Sequence, residues 1–129
     1  MVANAVLYHV PDLDLGLAEV ARALTDDGAL VATTFDAGRF PELFALVGVE
    51  PPTIPFRADN GAEILRRRFA DVRTRAATQA LVFPNAGEVR AYLEATITMG
   101  HLAHHLPDFE GSFRTERTFA VFVAERPRR

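Results

Sequence analysis

The side chains that can do chemistry in this chain are few and sparsely placed. There are four histidines and no cysteine, which excludes a disulfide, a thiol nucleophile and a thiolate metal site. His101, His104 and His105 form the one histidine cluster, HLAHH. His101 and His105 are spaced i, i+4, so an α-helix would set both on one face, as metal-ligating pairs are set. A third ligand would have to come from the following loop, from Asp108 or Glu110. A solvent-facing helix or one that lids a site accounts for the cluster as well, and no metal is expected. His9 stands beside Tyr8 in an apolar run leading into a helix. Imidazole is suited to proton transfer at neutral pH, but packing and capping also explain this pair, and the residues alone leave both readings open. Arg66-Arg67-Arg68 suits the negative end of a helix dipole or simple solvation. Asn60-Gly61 reads as a turn and helix cap.

Positioning these groups requires an α/β arrangement. The opening run VANAVLYHV is too short for periodicity to separate strand from helix. Pro11 to Asp14 is a turn, and Asp14 is the expected cap of the next helix. That helix carries Leu13, Leu17, Val20, Ala21 and Leu24 near helical spacing and stops where Gly28 supplies a turn or left-handed cap. ALVATTF (29–35) reads as a strand buried on both faces. A short helix is expected over 39–47, with Pro41 in its first turn, then an irregular loop containing Pro51, Pro52 and Pro55. A helix over 62–69, a strand over 71–83 and a helix over 85–99 capped by Asn85, with Val89, Tyr92, Leu93 and Ile97 inward, come next. Residues 100–106 extend that last helix or follow it. The final strand spans 115–126, with Phe119, Val121 and Val123 on one face and Ala120, Phe122 and Ala124 on the other.

The order of these segments, and several of their residues, resemble class I S-adenosylmethionine (SAM)-dependent methyltransferases. The resemblance is most specific in Asn4-Ala5-Val6-Leu7-Tyr8-His9-Val10-Pro11-Asp12 and in the L-x-x-x-G-x-L-V turn from Leu24 to Val31. It continues through Asn60-Gly61-Ala62-Glu63, Phe69-Ala70-Asp71-Val72 and the closing aromatic strand. It implies the C-terminal half of that fold: a partial Rossmann-like sheet, small and mixed, of three to four strands flanked by helices, with the last strand inserted antiparallel. It places Asn4, Ala5 and Leu7 beside the cofactor SAM and Tyr8 and His9 beside a small-molecule acceptor. His9 would serve as general base, and Tyr8 would offer a hydroxyl or a ring face to the sulfonium. The family's glycine-rich loop, its ribose-binding acid and its adenine-contacting segment have no counterpart among these residues. The chain is therefore expected to lack SAM binding alone, as a gene fragment or the product of a displaced start.

Length and composition agree with one domain. The 129 residues are 49% hydrophobic, enough for a small core, and the net charge of −3 gives no footprint for nucleic acid. No apolar stretch is long enough to span a membrane, and the N-terminus lacks a signal peptide's basic region and cleavage site, so the expected compartment is the cytoplasm. Removing the upstream strands would expose an edge at 29–35. The expected partners are therefore a second copy in a two-fold dimer or a missing N-terminal half. The alternative to a methyltransferase is a noncatalytic dimeric binding or regulatory module built on the half-fold.

Overall fold

The run ALVATTF forms strand β2 (Ala29–Phe35) with the predicted bounds and organises the sheet. The structure, a computed structural model, describes residues 1–36, 40–96 and 99–129. Before β2 come β1 (Val2–Asn4), a 3-10 turn (Leu7–His9) and helix α1 (Leu13–Ala23). After it come α2 (Pro41–Val47), α3 (Gly61–Arg66), β3 (Phe69–Phe83), α4 (Ala86–Ala95), a 3-10 helix (Gly100–His105) and β4 (Phe113–Pro127). Arg39, the expected start of a helix, and Ile97, expected to point inward, lie outside the described residues. Contacts divide the chain into two units. One gathers Met1–Ala37, Thr53–Thr78 and Thr118–Arg129, the other Gly38–Pro52 and Gln79–Arg117.

The four strands lie in the order β1-β2-β4-β3, so the last strand is inserted beside β2 as expected. β1 pairs with β2 in parallel, Val2 opposite Val31 and Asn4 opposite Thr33. β4 pairs with β2 antiparallel, from Ala29 opposite Glu125 to Phe35 opposite Phe119. The expectation that β2 would be an open edge is thus corrected. Short β1 occupies that side, and Val31 N–H donates to the Met1 carbonyl at 2.9 Å.

Helices α1 and α3 pack on one face of β2 and the adjoining part of β4. Leu30, Ala32 and Thr34 of β2 are buried to 1% exposure or less, while Ala29, Val31, Thr33 and Phe35 are only half-buried. Leu17 and Ala21 of α1, Ile64 and Leu65 of α3, and Phe56 cluster with Leu30, Ala32, Ala120, Phe122 and Ala124 on the covered face. Burial of β2 on both faces was expected from its apolar composition, and that expectation is corrected. Composition does not reveal which face the helices take. The one hydroxyl on the buried side of β2, Thr34 Oγ1, donates to the Phe56 carbonyl at 2.7 Å, which removes the cost of burying it.

Local chemistry sets the helix ends. Asp12, not Asp14, caps α1, accepting from Leu15 N–H at 3.0 Å. Asp14 lies within the first turn and pairs with Arg67 at 3.3 Å. Gly28 closes a turn by donating to the Thr25 carbonyl at 2.9 Å, with an ordinary φ rather than a left-handed one. α3 ends at Arg66, short of the expected Phe69, because Phe69 is fully buried as the first residue of β3. Gly61 starts α3 where a Cβ would meet the Phe122 ring at 2.5 Å, so a close approach explains this glycine better than its turn does.

In the second unit, α2, α4 and the 3-10 helix pack around Leu43, Phe44, Val89, Leu93 and Leu102. Pro41 sits in the first turn of α2, and Asn85 caps α4 through Glu88 N–H at 2.9 Å, both as expected. α4 ends at Ala95 rather than Met99, and the histidine segment forms a separate 3-10 helix instead of extending it. Thr115, fully buried, donates its hydroxyl to Glu42 Oε2 at 2.8 Å. Glu116 N–H donates to the same oxygen at 3.2 Å.

Candidate functional site

β1 and β2 run parallel, so their carboxyl ends share one edge of the first unit, and in open α/β sheets that edge is where ligands bind. An open cavity of about 260 Å³ lies there, lined by Asn4, Ala5, Thr33, Thr34, Phe35, Phe119 and Val121. The register brings them together. Phe35 is opposite Phe119, Thr33 is opposite Val121, and Asn4 is opposite Thr33 on the other side. The cavity belongs to the half-exposed face of the sheet.

Its polar corner is held by a small network. Thr33 Oγ1 donates to Asn4 Oδ1 at 2.5 Å and accepts from Ala5 N–H at 3.0 Å. The acceptor atom of the Asn4 amide is thereby engaged. Its NH₂ makes no hydrogen bond among the described residues and is left to donate to a ligand. Ala5 follows the end of β1 with a left-handed φ of 52°, a conformation that costs a non-glycine residue about 1–2 kcal/mol. Such strain persists only where surrounding contacts hold it, and it concentrates at binding sites. Here the Thr33 hydroxyl and carbonyl both hold the Ala5 N–H, the latter at 3.2 Å.

The other wall is aromatic. The Phe35 and Phe119 rings lie 5.7 Å apart, and Tyr8 reaches Phe35 at 6.4 Å. Tyr8 also stacks obliquely on His9 at 4.5 Å. Tyr8 is half-buried and His9 exposed, both on the 3-10 turn that follows β1. Leu7 on the same turn is 6% exposed and packs in the hydrophobic cluster, anchoring the turn. Of the residues singled out from the sequence, Asn4 and Ala5 line the cavity, Tyr8 reaches it through Phe35, and His9 stands next to Tyr8.

Thr33, Phe35, Phe119 and Val121 line the candidate cavity although the sequence did not single them out. The signal was available in the end of β2, where the apolar run gives way to Thr33-Thr34. Asp36, one residue beyond β2, was also missed. Its Oδ1 is buried and has no hydrogen-bond partner among the described residues, while its N–H donates to the Thr118 carbonyl at 3.0 Å. It supplies a carboxylate at the carboxyl end of the sheet.

His101, His104 and His105 are exposed on their 3-10 helix. In that geometry i, i+3 residues eclipse, so His101 and His105 lose the shared face that an α-helix would give them. No group of three metal-ligating side chains occurs among the described residues. No described helix is long and apolar enough to cross a membrane.

No family model matches this sequence, and no curated protein matches it. Among solved structures it is similar to a protein of Bacillus halodurans C-125 described as a putative methyltransferase. The match covers 98% of this chain and 63% of that one, with a TM-score of 0.58 and 11% sequence identity. At that identity the likeness concerns the fold alone. The chain has a methyltransferase-like α/β fold and spans under two thirds of the solved chain it resembles.

Proposed function

We propose that this chain forms the acceptor side of a SAM-dependent methyl-transfer site for a small molecule. The observation that carries this reading is the cavity at the carboxyl ends of β1 and β2, in a sheet of the order β1-β2-β4-β3. Its lining suits the methyl-donor end of SAM. Phe35 and Phe119 offer ring faces to a cationic sulfonium, and the Asn4 NH₂ offers donors to a polar acceptor. Among the described residues no carboxylate or glycine-rich loop lines the cavity to hold a ribose or an adenine. On this reading those groups would be supplied by residues other than those of the cavity, in the same polypeptide or in another.

SAM supplies an electrophilic methyl group to an acceptor nucleophile. This chain's residues would set the acceptor's approach and take its proton. Tyr8 and Phe35 hold the acceptor by ring contacts, and His9 is the proton acceptor at the exposed rim. Asp36 brings a carboxylate to the same end of the sheet. Titration with S-adenosylhomocysteine at millimolar concentration, followed residue by residue by NMR, tests the reading. Shifts centred on Asn4, Ala5, Thr33 and Phe119, and abolished by Phe119→Ala, support it. Saturation with no shift in those residues rejects it.

The noncatalytic reading has its own observation. Met1, Val2 and Val6 are 54%, 73% and 45% exposed, a cluster of apolar side chains at the start of the chain. We propose that a second copy covers them in a two-fold dimer. Sedimentation at micromolar concentration tests this, since a monomer there rejects it.

A further inference from the structure

The two short arginine runs of the sequence, 66–68 and 128–129, converge in the fold. Arg128 N–H donates to the Arg68 carbonyl at 2.7 Å, which ties the end of the chain to the residue just before β3. Arg68, Arg128 and Arg129 then line one concavity with Arg22, Glu19 and Ala18 of α1, about 290 Å³ in volume. This place is remote from the cavity described above. Ala29, at the opposite end of β2 from Phe35, pairs with Glu125 near the end of β4.

The charge in this concavity is unbalanced. Arg22 is paired with Glu19 at 2.9 Å, and Arg129 with Asp26. The neighbouring Arg67 and Arg126 are paired with Asp14 and Asp71. Arg68 and Arg128 make no side-chain hydrogen bond or ion pair among the described residues. Arg68 is half-buried. Four guanidinium groups and one carboxylate thus face a shared space in a chain whose net charge is −3. Guanidinium forks match phosphate oxygens in geometry as well as charge and can bind them in bidentate fashion.

We propose that this concavity binds a phosphate or diphosphate group, with Arg68 and Arg128 as its principal donors and Arg22 and Arg129 as flanking charges. The site is independent of the methyl-transfer reading, because it uses none of the residues of that cavity. Free diphosphate and the diphosphate of a nucleotide share the chemistry that these residues recognise.

The test is calorimetric titration of the full chain at low salt with inorganic diphosphate and, separately, with a nucleoside diphosphate. Wild type, Arg68→Ala/Arg128→Ala and the control Arg73→Ala/Arg75→Ala are compared. The expected result is saturable binding that weakens at least about tenfold in the first variant, as loss of charge-assisted bonds requires, and is unchanged in the control. Tighter binding of the nucleotide than of free diphosphate identifies a nucleotide as the source, and equal binding identifies the free anion. Absence of saturable binding by either anion overturns the proposal, as does equal weakening in both variants. A single-stranded oligonucleotide that binds more tightly than either anion also overturns it, in favour of a nucleic-acid surface. Circular dichroism of each variant checks that the substitutions, including that of half-buried Arg68, leave the fold intact.

Discussion

Gly61→Ala should destabilise this protein, although helix propensity alone argues the other way. Gly61 opens α3 with an ordinary φ, so alanine suits the backbone there. By restricting the unfolded chain alanine should gain about 0.4–1 kcal/mol. The new methyl, however, would sit 2.5 and 2.6 Å from two atoms of the Phe122 ring and 3.1 Å from Phe56. Carbon atoms prefer separations of about 3.5–4.0 Å, so the overlap is on the order of 1 Å. Neither ring can retreat easily. Both are fully buried and meet edge to face at 5.5 Å. Overpacking costs about 1–3 kcal/mol, and an overlap this large between rigidly held groups belongs to the upper part, about 2–3 kcal/mol, which leaves a net loss of about 1–2.5 kcal/mol after the entropic gain. Urea unfolding followed by circular dichroism should show a lower midpoint at unchanged slope. Phe122→Leu should then cost less in the alanine background than in wild type, because it removes the ring atoms that clash. A Gly61→Ala variant as stable as wild type would refute the reasoning, and so would strict additivity of the two substitutions.

Three further outcomes follow from groups already described. Asp12→Ala should cost about 1 kcal/mol through loss of the α1 cap. Asp14→Ala, which breaks an exposed pair with Arg67, should cost less than about 0.5 kcal/mol; thermal melts of the two variants decide it. The Glu42 carboxyl is held below its ordinary pKa by its own backbone N–H, the Glu116 N–H and the Thr115 hydroxyl. A lowered folded-state value means stability that is present above the unfolded value and lost as pH falls through the folded one. Denaturation midpoints should therefore drop across the acid range, and Glu42→Gln should flatten part of that drop. The effect should stay below about 1 kcal/mol because the carboxylate is solvent-screened. Ala5→Gly should relieve the left-handed strain and raise stability by about 0.5–1 kcal/mol after its entropic cost, read as a higher melting temperature.

Much of this architecture was legible in the sequence because local signals and the global pattern agreed. β2 was found with its bounds because a Gly-closed turn precedes it and its residues, apolar then Thr33-Thr34 then Phe35, include no strand breaker. The Asn85 cap and Pro41 in its first turn followed from chemistry that acts within four residues. The strand order followed from the resemblance, not from the residues themselves. The misses share a cause, which is dependence on partners distant in sequence. Whether Asp12 or Asp14 caps α1 turns on where the first turn starts, and two acids two residues apart give no local preference. Gly61 reads as a turn until Phe122, far along the chain, is placed against it. Thr33 and Phe119 become site residues only once β4 lies beside β2. For the histidine segment only the helix type differs, since the α-helical i, i+4 spacing is replaced by a 3-10 helix while its histidines are solvent-facing.

The β3 edge of the sheet is a poor template for adding another strand. β1 at one edge is only three residues long. β3 at the other edge is fifteen residues long, but it carries Arg73 and Arg75, both exposed, along its first half. Exposed charge is a device by which natural sheets refuse edge-to-edge growth. Copies of this chain therefore have little means of propagating a continuous ribbon of strands. A dimer of the kind proposed above would instead be made side chain to side chain, across the half-exposed surface that holds Val2, Phe35 and Val121. A partner settling there would lie over the mouth of the cavity, so assembly and access to the site would be governed by one and the same surface.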